Sequence, residues 1–556
     1  MCTENYDACY PDQPVVDRYL PVWAKLPAFA AKPAFIWADD DAASTRTALT
    51  YAQLDAAVGR MARNLLGTVG SLRRGDAVLV LASPGLRLVK LHFACQRAGL
   101  TAVPVVPPDP AGFGTGGGPA HAHLLRAVSQ ARPTPAVADA GYTSMPSPRW
   151  LLLPSPGPRE TTPGAGWLPC WGACAGWPST SWSGSGSAAV MGRKRLHIWS
   201  DGRPEARGDH CSLGGPQRAD REEVRRPAPE QRHRAVAAPQ FHDCGLVFLL
   251  LTVVAGATCV LAATGAFLWH PRLWLELVSE FGATCTPVPS FALPLVLRRG
   301  RGHPRPRRRP LQLGSLRNLI LINEPIYKSC VDEFMEAFCS HGLRSTSVSP
   351  SYGLAENCIF VSTAWQTSES SSSHLPSYMR LLPSARLSPP PSSAANEVPE
   401  IEIAVVDEDT GEPVEDGVEG EIWVSSPSNA SGYLGHPSAS REVFCARVPG
   451  RAGACFVRTG DRGVVTGAER YLYVVGRSAD VITLDDDCGG GRRRVHAHYV
   501  ETAAFGSSPN RLRGGCVSAF ATLSIDAVVT FADRRRGRRR GAAEGKRRWW
   551  RSQWPV

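Results

Sequence analysis

Six residues, Ser351-Tyr352-Gly353-Leu354-Ala355-Glu356, combine three kinds of chemistry between two apolar runs of β character. Tyr352 offers an aromatic face that can stack on a base. Gly353 lets the backbone approach a ligand because it carries no Cβ, and Glu356 offers one hard oxygen to a hydrated Mg2+. Together they point to a nucleotide site with Glu356 as its metal ligand. The stretch is short and Tyr-Gly is common in turns, so its weight depends on what surrounds it.

The surroundings form an ordered series: Phe241-His242-Asp243, then Asn323-Glu324-Pro325, Tyr352 to Glu356, Thr459-Gly460-Asp461 and Gly476-Arg477. In this order the motifs resemble adenylate-forming acyl-activating enzymes, the AMP-dependent synthetases and ligases, and fatty acyl-AMP ligases above all. The similarity extends to Leu49-Thr50-Tyr51-Ala52-Gln53-Leu54 and to Ala98-Gly99 through Pro107-Pro108. The resemblance implies ATP and Mg2+ as cofactors and a fatty or other carboxylic acid as substrate. The acid's carboxylate attacks the α-phosphate, pyrophosphate leaves, and the acyl adenylate passes to a thiol acceptor, an acyl carrier protein or coenzyme A.

Carried onto this chain, the resemblance gives Glu356, His242 and Arg477 catalytic positions, with Glu356 holding the metal. It gives Asn323, Glu324, Pro325, Tyr352, Gly353, Asp461 and Arg477 to the nucleotide. Asp461, expected on a tight turn, has two acceptor oxygens suited to both ribose hydroxyls. Plainer readings stand beside these: Asp461 as an ordinary turn residue, Pro325 fixing φ ahead of a helix, and His242 as a helix cap that borders the acyl site without acting as a general base.

Positioning such groups takes a sheet whose strands end together. Residues 76–81 and 101–106 read as strands and 54–66, 86–98 and 121–130 as helices; farther on, 284–288 and 316–322 read as strands and 271–279 and 327–338 as helices. Strand alternating with helix implies parallel, doubly wound α/β layers, in which ligands lie at the carboxyl ends of strands, so Asn323 and Tyr352 are expected to share one crevice. Alternation over 400–406 and 420–424 around Asp409-Thr410-Gly411 predicts a small antiparallel, barrel-like β subdomain.

The expected organisation is an N-terminal α/β subdomain over 1–142, an anomalous stretch over 143–235, a second α/β subdomain over 236–365, a Ser/Pro-rich loop over 366–399, the β subdomain over 400–475, and a small, incomplete α+β C-terminal domain over 476–556.

The chain's 556 residues allow several cored domains. Sixteen cysteines without paired CxxC spacing, and no secretory leader, read as reduced thiols in an intracellular, cytoplasmic protein. The net charge of +11 is carried by arginine, only six of 61 basic residues being lysine, and much of the excess sits in the runs 305–309 and 534–540. That pattern, without aromatic platforms, argues against a nucleic-acid partner. Residues 246–268 carry no charge and reach the length of a membrane span, but Gly256-Ala257-Thr258 divides them into a helix-like and a β-branched half, and the resemblance implies a buried helix and strand here instead.

Six of the fifteen tryptophans lie between Trp150 and Trp199 amid Pro, Gly, Ser and Arg, with no periodicity. Disorder is poor in aromatics, so a linker does not explain this composition. The resembling family carries here a loop, Thr-Ser-Gly-Ser-Thr-Gly-x-Pro-Lys-Gly, whose amides cradle phosphates. A one-base shift of the codons for residues 196–208 permits Phe-Thr-Ser-Gly-x-Thr-Gly-x-Pro-Lys-x-Gly, and the glycine derived from Trp199 is forced. The expectation is a stretch translated out of frame, with Gly184-Ser185-Gly186 and Lys194 as a weaker substitute phosphate loop. The tail over 534–556, rich in arginine and without the family's late lysine motif, reads as a second foreign frame with an early stop.

Overall fold

A computed structural model of the chain describes residues 5, 13–38, 46–68, 72–106, 119–138, 234–236, 240–300, 310–323, 325–364, 375–387, 401–433, 436–451, 453–485, 492–508, 511–522 and 525–534. The expectations for residues 143–233, for Glu324 and for the tail beyond 534 lie outside them. Described residues fall into two compact units. Gly460–Arg462 and the residues from Val475 onward form one, and the rest form the other.

Eleven of the strands build the two α/β sheets and their edges in the larger unit, numbered with the rest in chain order. They are β1 (Pro33–Ala38), β2 (Arg46–Thr50), β3 (Ala77–Leu81), β4 (Thr101–Pro104), β5 (Ala136–Ala138), β6 (Arg234–Val236), β7 (Thr258–Ala262), β8 (Cys285–Pro289), β9 (Asn318–Ile322), β10 (Val348–Tyr352) and β11 (Ser362–Thr363), with β12 (Ala385–Arg386) leading into the β subdomain. The large sheet runs β11-β10-β9-β8-β6-β7-β1-β2. Its inner pairs from β10 to β1 are parallel, and both edge pairs are antiparallel.

Alternation sorts the side chains of this sheet to two faces. Ile36 and Val260 join Trp274, Leu293 and Phe334 in one core, whereas Phe35, Cys259 and Leu261 join Leu20, Leu54 and Leu249 in another. Helices Leu273–Phe281, Ala292–Gly300 and Lys328–Phe338 therefore cover one face, and Val15–Lys25, Tyr51–Thr68 and Asp243–Val254 cover the other. A second parallel sheet, β4-β3-β5, repeats the device: all five residues of β3 are buried, Val78 and Val80 to one core and Leu79 and Leu81 to another. This is an α/β fold with helices on both faces of parallel sheets.

The uncharged run over 246–268 is core. Helix Asp243–Val254 is buried on almost every side, the chain turns at Gly256 with φ +59°, and β7 follows. Glycine suits that turn, because the φ is left-handed and a Cβ would crowd the Trp23 ring at 3.0 Å and Phe29 at 3.2 Å. Trp23 Nε1 donates to the Val253 carbonyl at 2.7 Å and Lys32 Nζ to that of Gly256 at 2.6 Å, so the turn's polar groups are paired inside the protein. Among the described residues no helix is long and apolar enough to cross a membrane.

The β subdomain is a five-stranded sheet, β12-β16-β15-β14-β13, with β13 (Glu402–Val406), β14 (Gly420–Ser425), β15 (Val457–Thr466) and β16 (Tyr471–Arg477). The smaller unit holds the hairpin of β17 (Val481–Asp485) and β18 (Arg492–His496), helix Ala497–Ser507, and a second hairpin of β19 (Leu512–Thr522) and β20 (Ile525–Arg534).

Candidate active site

β9 and β10 are adjacent and parallel, with Leu321 level with Pro350. Continuing that register two residues brings Asn323 level with Tyr352 at the carboxyl ends of both strands, as expected of a shared crevice. Asn323 is exposed and holds φ +83°, a left-handed conformation that asparagine tolerates better than most residues. Pro325 is half-buried beside it, ahead of helix Lys328–Phe338.

His242 reaches the same strand end. It caps helix Asp243–Val254, and its Nε2 lies 3.5 Å from Asn323 Nδ2. Its Nδ1 lies 2.5 Å from Asp243 Oδ1. Burial by itself would lower the His242 pKa, but the adjacent carboxylate outweighs it and the net direction is upward; Asp243 is shifted down by the same pairing against its own burial. A histidine donating Nδ1–H to Asp243 cannot also accept the Cys244 N–H, so that amide is capped by Asp243 Oδ1 at 2.8 Å. The three side chains of His242, Asp243 and Cys244 offer ligand atoms within 4.8 Å of one another. His242 Nδ1 and Asp243 Oδ1 are engaged with each other, and burial and Asp243 push the Cys244 thiol far up.

Glu356 sits in a 3-10 turn, Ala355–Asn357, and is 8% exposed. The Tyr433 hydroxyl donates to its Oε1 at 2.8 Å, and its carbonyl accepts the Ala430 N–H at 2.8 Å. Asn357 Nδ2 donates to Ser426 Oγ and to Asn429 Oδ1, both at 2.5 Å. One loop, residues 426–433, thus grips Glu356 and Asn357 by four contacts. Among the described residues Glu356 Oε2 takes no hydrogen bond, which leaves one hard oxygen of the kind Mg2+ prefers.

Three expectations change. Gly353 is needed by the chain itself, since a Cβ there would stand 1.5 Å from the Ile359 carbonyl oxygen; close approach to a ligand is not its visible reason. Tyr352 is 7% exposed and packs with Val361, Val405, Ile422 and Leu472, so its ring belongs to the core where an open stacking face was expected. Thr459-Gly460-Asp461 is no tight turn but part of the ten-residue strand β15, with Gly460 at φ +68°. Arg458, just before that motif, is anchored by Glu421 at 2.9 Å, and Thr459 Oγ1 donates to the Ile422 carbonyl at 2.6 Å, which are structural duties.

In the smaller unit Arg477 Nε donates to Asp461 Oδ1 at 2.9 Å. Gly476 before it holds φ +148°, and a Cβ there would stand 2.5 Å from His496 Nδ1.

A family described as AMP-binding enzyme matches residues 23–129 and 218–434, more than half of the chain. The chain belongs to that family. The AMP-binding match resumes at 218, within the stretch 143–235 set apart by composition, and the unmatched interval contains residues 196–208. The long-chain-fatty-acid–AMP ligase FadD32 of Mycobacterium marinum is 32% identical over 306 residues, 51% of this chain and 47% of that protein. The 4-hydroxyphenylalkanoate adenylyltransferase of Mycobacterium tuberculosis is 30% identical over 257 residues, 44% of this chain and 41% of that protein. The chain spans about half the length of the curated relatives it matches. Among solved structures, one from a study of fatty acyl-adenylate ligases of E. coli and L. pneumophila superposes with a TM-score of 0.63 at 22% identity, covering 95% of this chain and 88% of that one. A McyG A-PCP complex with phenylalanyl-adenylate gives 0.66 at 16%, covering 96% and 74%. At these identities the likeness concerns the fold.

The residues that composition and motif reading missed are Tyr433, Ser426 and Asn429. The available signals were the Gly432-Tyr433 pair and the asparagine directly after Glu356.

Proposed function

We propose that this AMP-binding enzyme carries the scaffold for ATP-dependent activation of a fatty or other carboxylic acid as acyl-AMP, for transfer to a thiol acceptor, an acyl carrier protein or coenzyme A. The observation that carries the reading is the placing of Asn323 level with Tyr352 at two parallel strand ends, with His242 3.5 Å from Asn323. The relatives named fatty-acid–AMP ligase support it over the matched half. A cytoplasmic setting is proposed with it, the described cysteines all being free thiols.

On this reading the Asn323 amide helps to orient the nucleotide. His242, biased toward its charged form by Asp243 against its burial, offers positive charge to the incoming carboxylate at the helix N-terminus rather than removing a proton. Glu356 Oε2 would hold Mg2+, which when bound neutralises phosphate charge. Asp461 is proposed as the ribose acceptor and Arg477 as a cation for the developing phosphate charge, each on its own chemistry.

We further propose that residues 196–208 are translated out of frame, so that the amide-lined phosphate loop is lost. The break in the family match over that interval supports this. The test is pyrophosphate release by a version with that frame restored. Glu356→Gln there should lower adenylate formation much more than stability, because one metal oxygen is lost without a cavity. Full rate at limiting Mg2+ would remove Glu356 from the metal.

A further inference from the structure

We infer that Tyr433 is a positioning residue: its hydroxyl occupies Glu356 Oε1 and so commits Oε2 to the divalent cation. The inference rests on the acyl-adenylating reading of the site given above.

A carboxylate with two open oxygens can rotate and bind a cation through either or both. Here one oxygen is engaged by the Tyr433 hydroxyl at 2.8 Å, and the other takes no hydrogen bond among the described residues. A single carboxylate oxygen, completed by water and phosphates, matches the way Mg2+ is held in nucleotide sites.

The donor is itself fixed. Tyr433 N–H donates to Ser440 Oγ at 2.8 Å, and Ser440 Oγ lies 2.7 Å from the His436 carbonyl on the helix Pro437–Phe444. Gly432 holds φ +145°, and a Cβ there would stand 2.6 Å from Ser440 Oγ, so the loop closes tightly on that serine. The Tyr433 ring meets Phe444 edge to face, with centroids 5.1 Å apart. Backbone, ring and hydroxyl are each held, and the phenol is aimed at Oε1 from a segment 77 residues farther along the chain. Such outer partners commonly change metal affinity by about 10- to 100-fold.

The experiment titrates Mn2+, in place of Mg2+, into the full chain with ATP present and reads free Mn2+ by electron paramagnetic resonance, with a thermal melt on every variant. Tyr433→Phe keeps the ring on Phe444 and removes only the hydroxyl. It should weaken Mn2+ binding by about tenfold or more. Glu356→Gln should weaken it at least as much, and the double variant should bind no more weakly than Glu356→Gln alone, because the tyrosine acts through the glutamate. If Glu356→Gln weakens Mn2+ and Tyr433→Phe stays within about twofold of the parent, the positioning role is overturned while the reading of the site survives. Fully additive effects overturn it also, since Tyr433 would then touch the ligand itself. If Glu356→Gln changes nothing, the assignment of the metal to Glu356 falls and takes this inference with it. Should Tyr433→Phe unfold, Ser440→Ala keeps the phenol but frees its anchor and should weaken Mn2+ by about threefold, the equivalent of one modest hydrogen bond; no change there overturns the inference.

Discussion

Arg477 Nε donates to Asp461 Oδ1 at 2.9 Å, and both side chains are mostly buried, at 24% and 13% exposure. The pair holds the carboxylate in one orientation. On the proposed role, Asp461→Ala should raise the ATP concentration needed for binding, by at most about 1.5–3 kcal/mol for each charge-assisted bond to ribose. Preference for ATP over its 2′,3′-dideoxy analogue should shrink in parallel. An unchanged preference, measured by competition binding, would leave Asp461 as the partner of Arg477 and nothing more.

Gly353→Ala should destabilise the larger unit by about 3 kcal/mol or more, since the new methyl group meets a backbone carbonyl that cannot rotate away. Urea unfolding measures it. A loss well under 1 kcal/mol would mean that the segment around Ile359 moves freely, contrary to the close approach seen here.

Much of this fold was legible in the sequence, and the reason is periodicity. Residues 76–81 read as a strand and β3 is one, buried throughout; 246–268 divided at Gly256 into helix-like and β-branched halves, and that break is the turn that packs on Trp23. Sites made by distant partners were less legible. Tyr433 finds Glu356 across 77 residues and His242 finds Asn323 across 81, and no local spacing encodes either meeting. Thr459-Gly460-Asp461 misled because a glycine between polar residues signals a turn, whereas here neighbouring strands extend β15 through it. Tyr352 misled because an aromatic at a strand end looks the same whether it faces a ligand or a core.

His92 gives a pH prediction. It is buried in helix Leu86–Arg97, 2.9 Å from Gln96 Nε2, and burial lowers its pKa to about 4. As pH falls below the ordinary histidine value of 6.5, the unfolded chain takes up this proton first, so the folded state loses stability between about 6.5 and 4. The loss attributable to His92 approaches about 3 kcal/mol across that window. His92→Met should flatten the pH dependence of the unfolding free energy from urea melts by that amount. Parallel curves for the two proteins would show that His92 does not stay neutral in the fold.

The most direct test of the adenylating account is acyl hydroxamate formation from fatty acid, ATP and hydroxylamine, comparing the written chain with a version in which the frame over residues 196–208 is restored. The account predicts little or no hydroxamate from the written chain and a clear gain on restoration, because amide donors return to the phosphates while the strand ends bearing Asn323 and Tyr352 and the helix start bearing His242 stay unchanged. Robust turnover by the written chain would contradict the lost phosphate loop and turn attention to Gly184, Gly186 and Lys194; no turnover by a chain restored both over 196–208 and over the tail from 534, folded by its melt, would contradict the adenylating function itself.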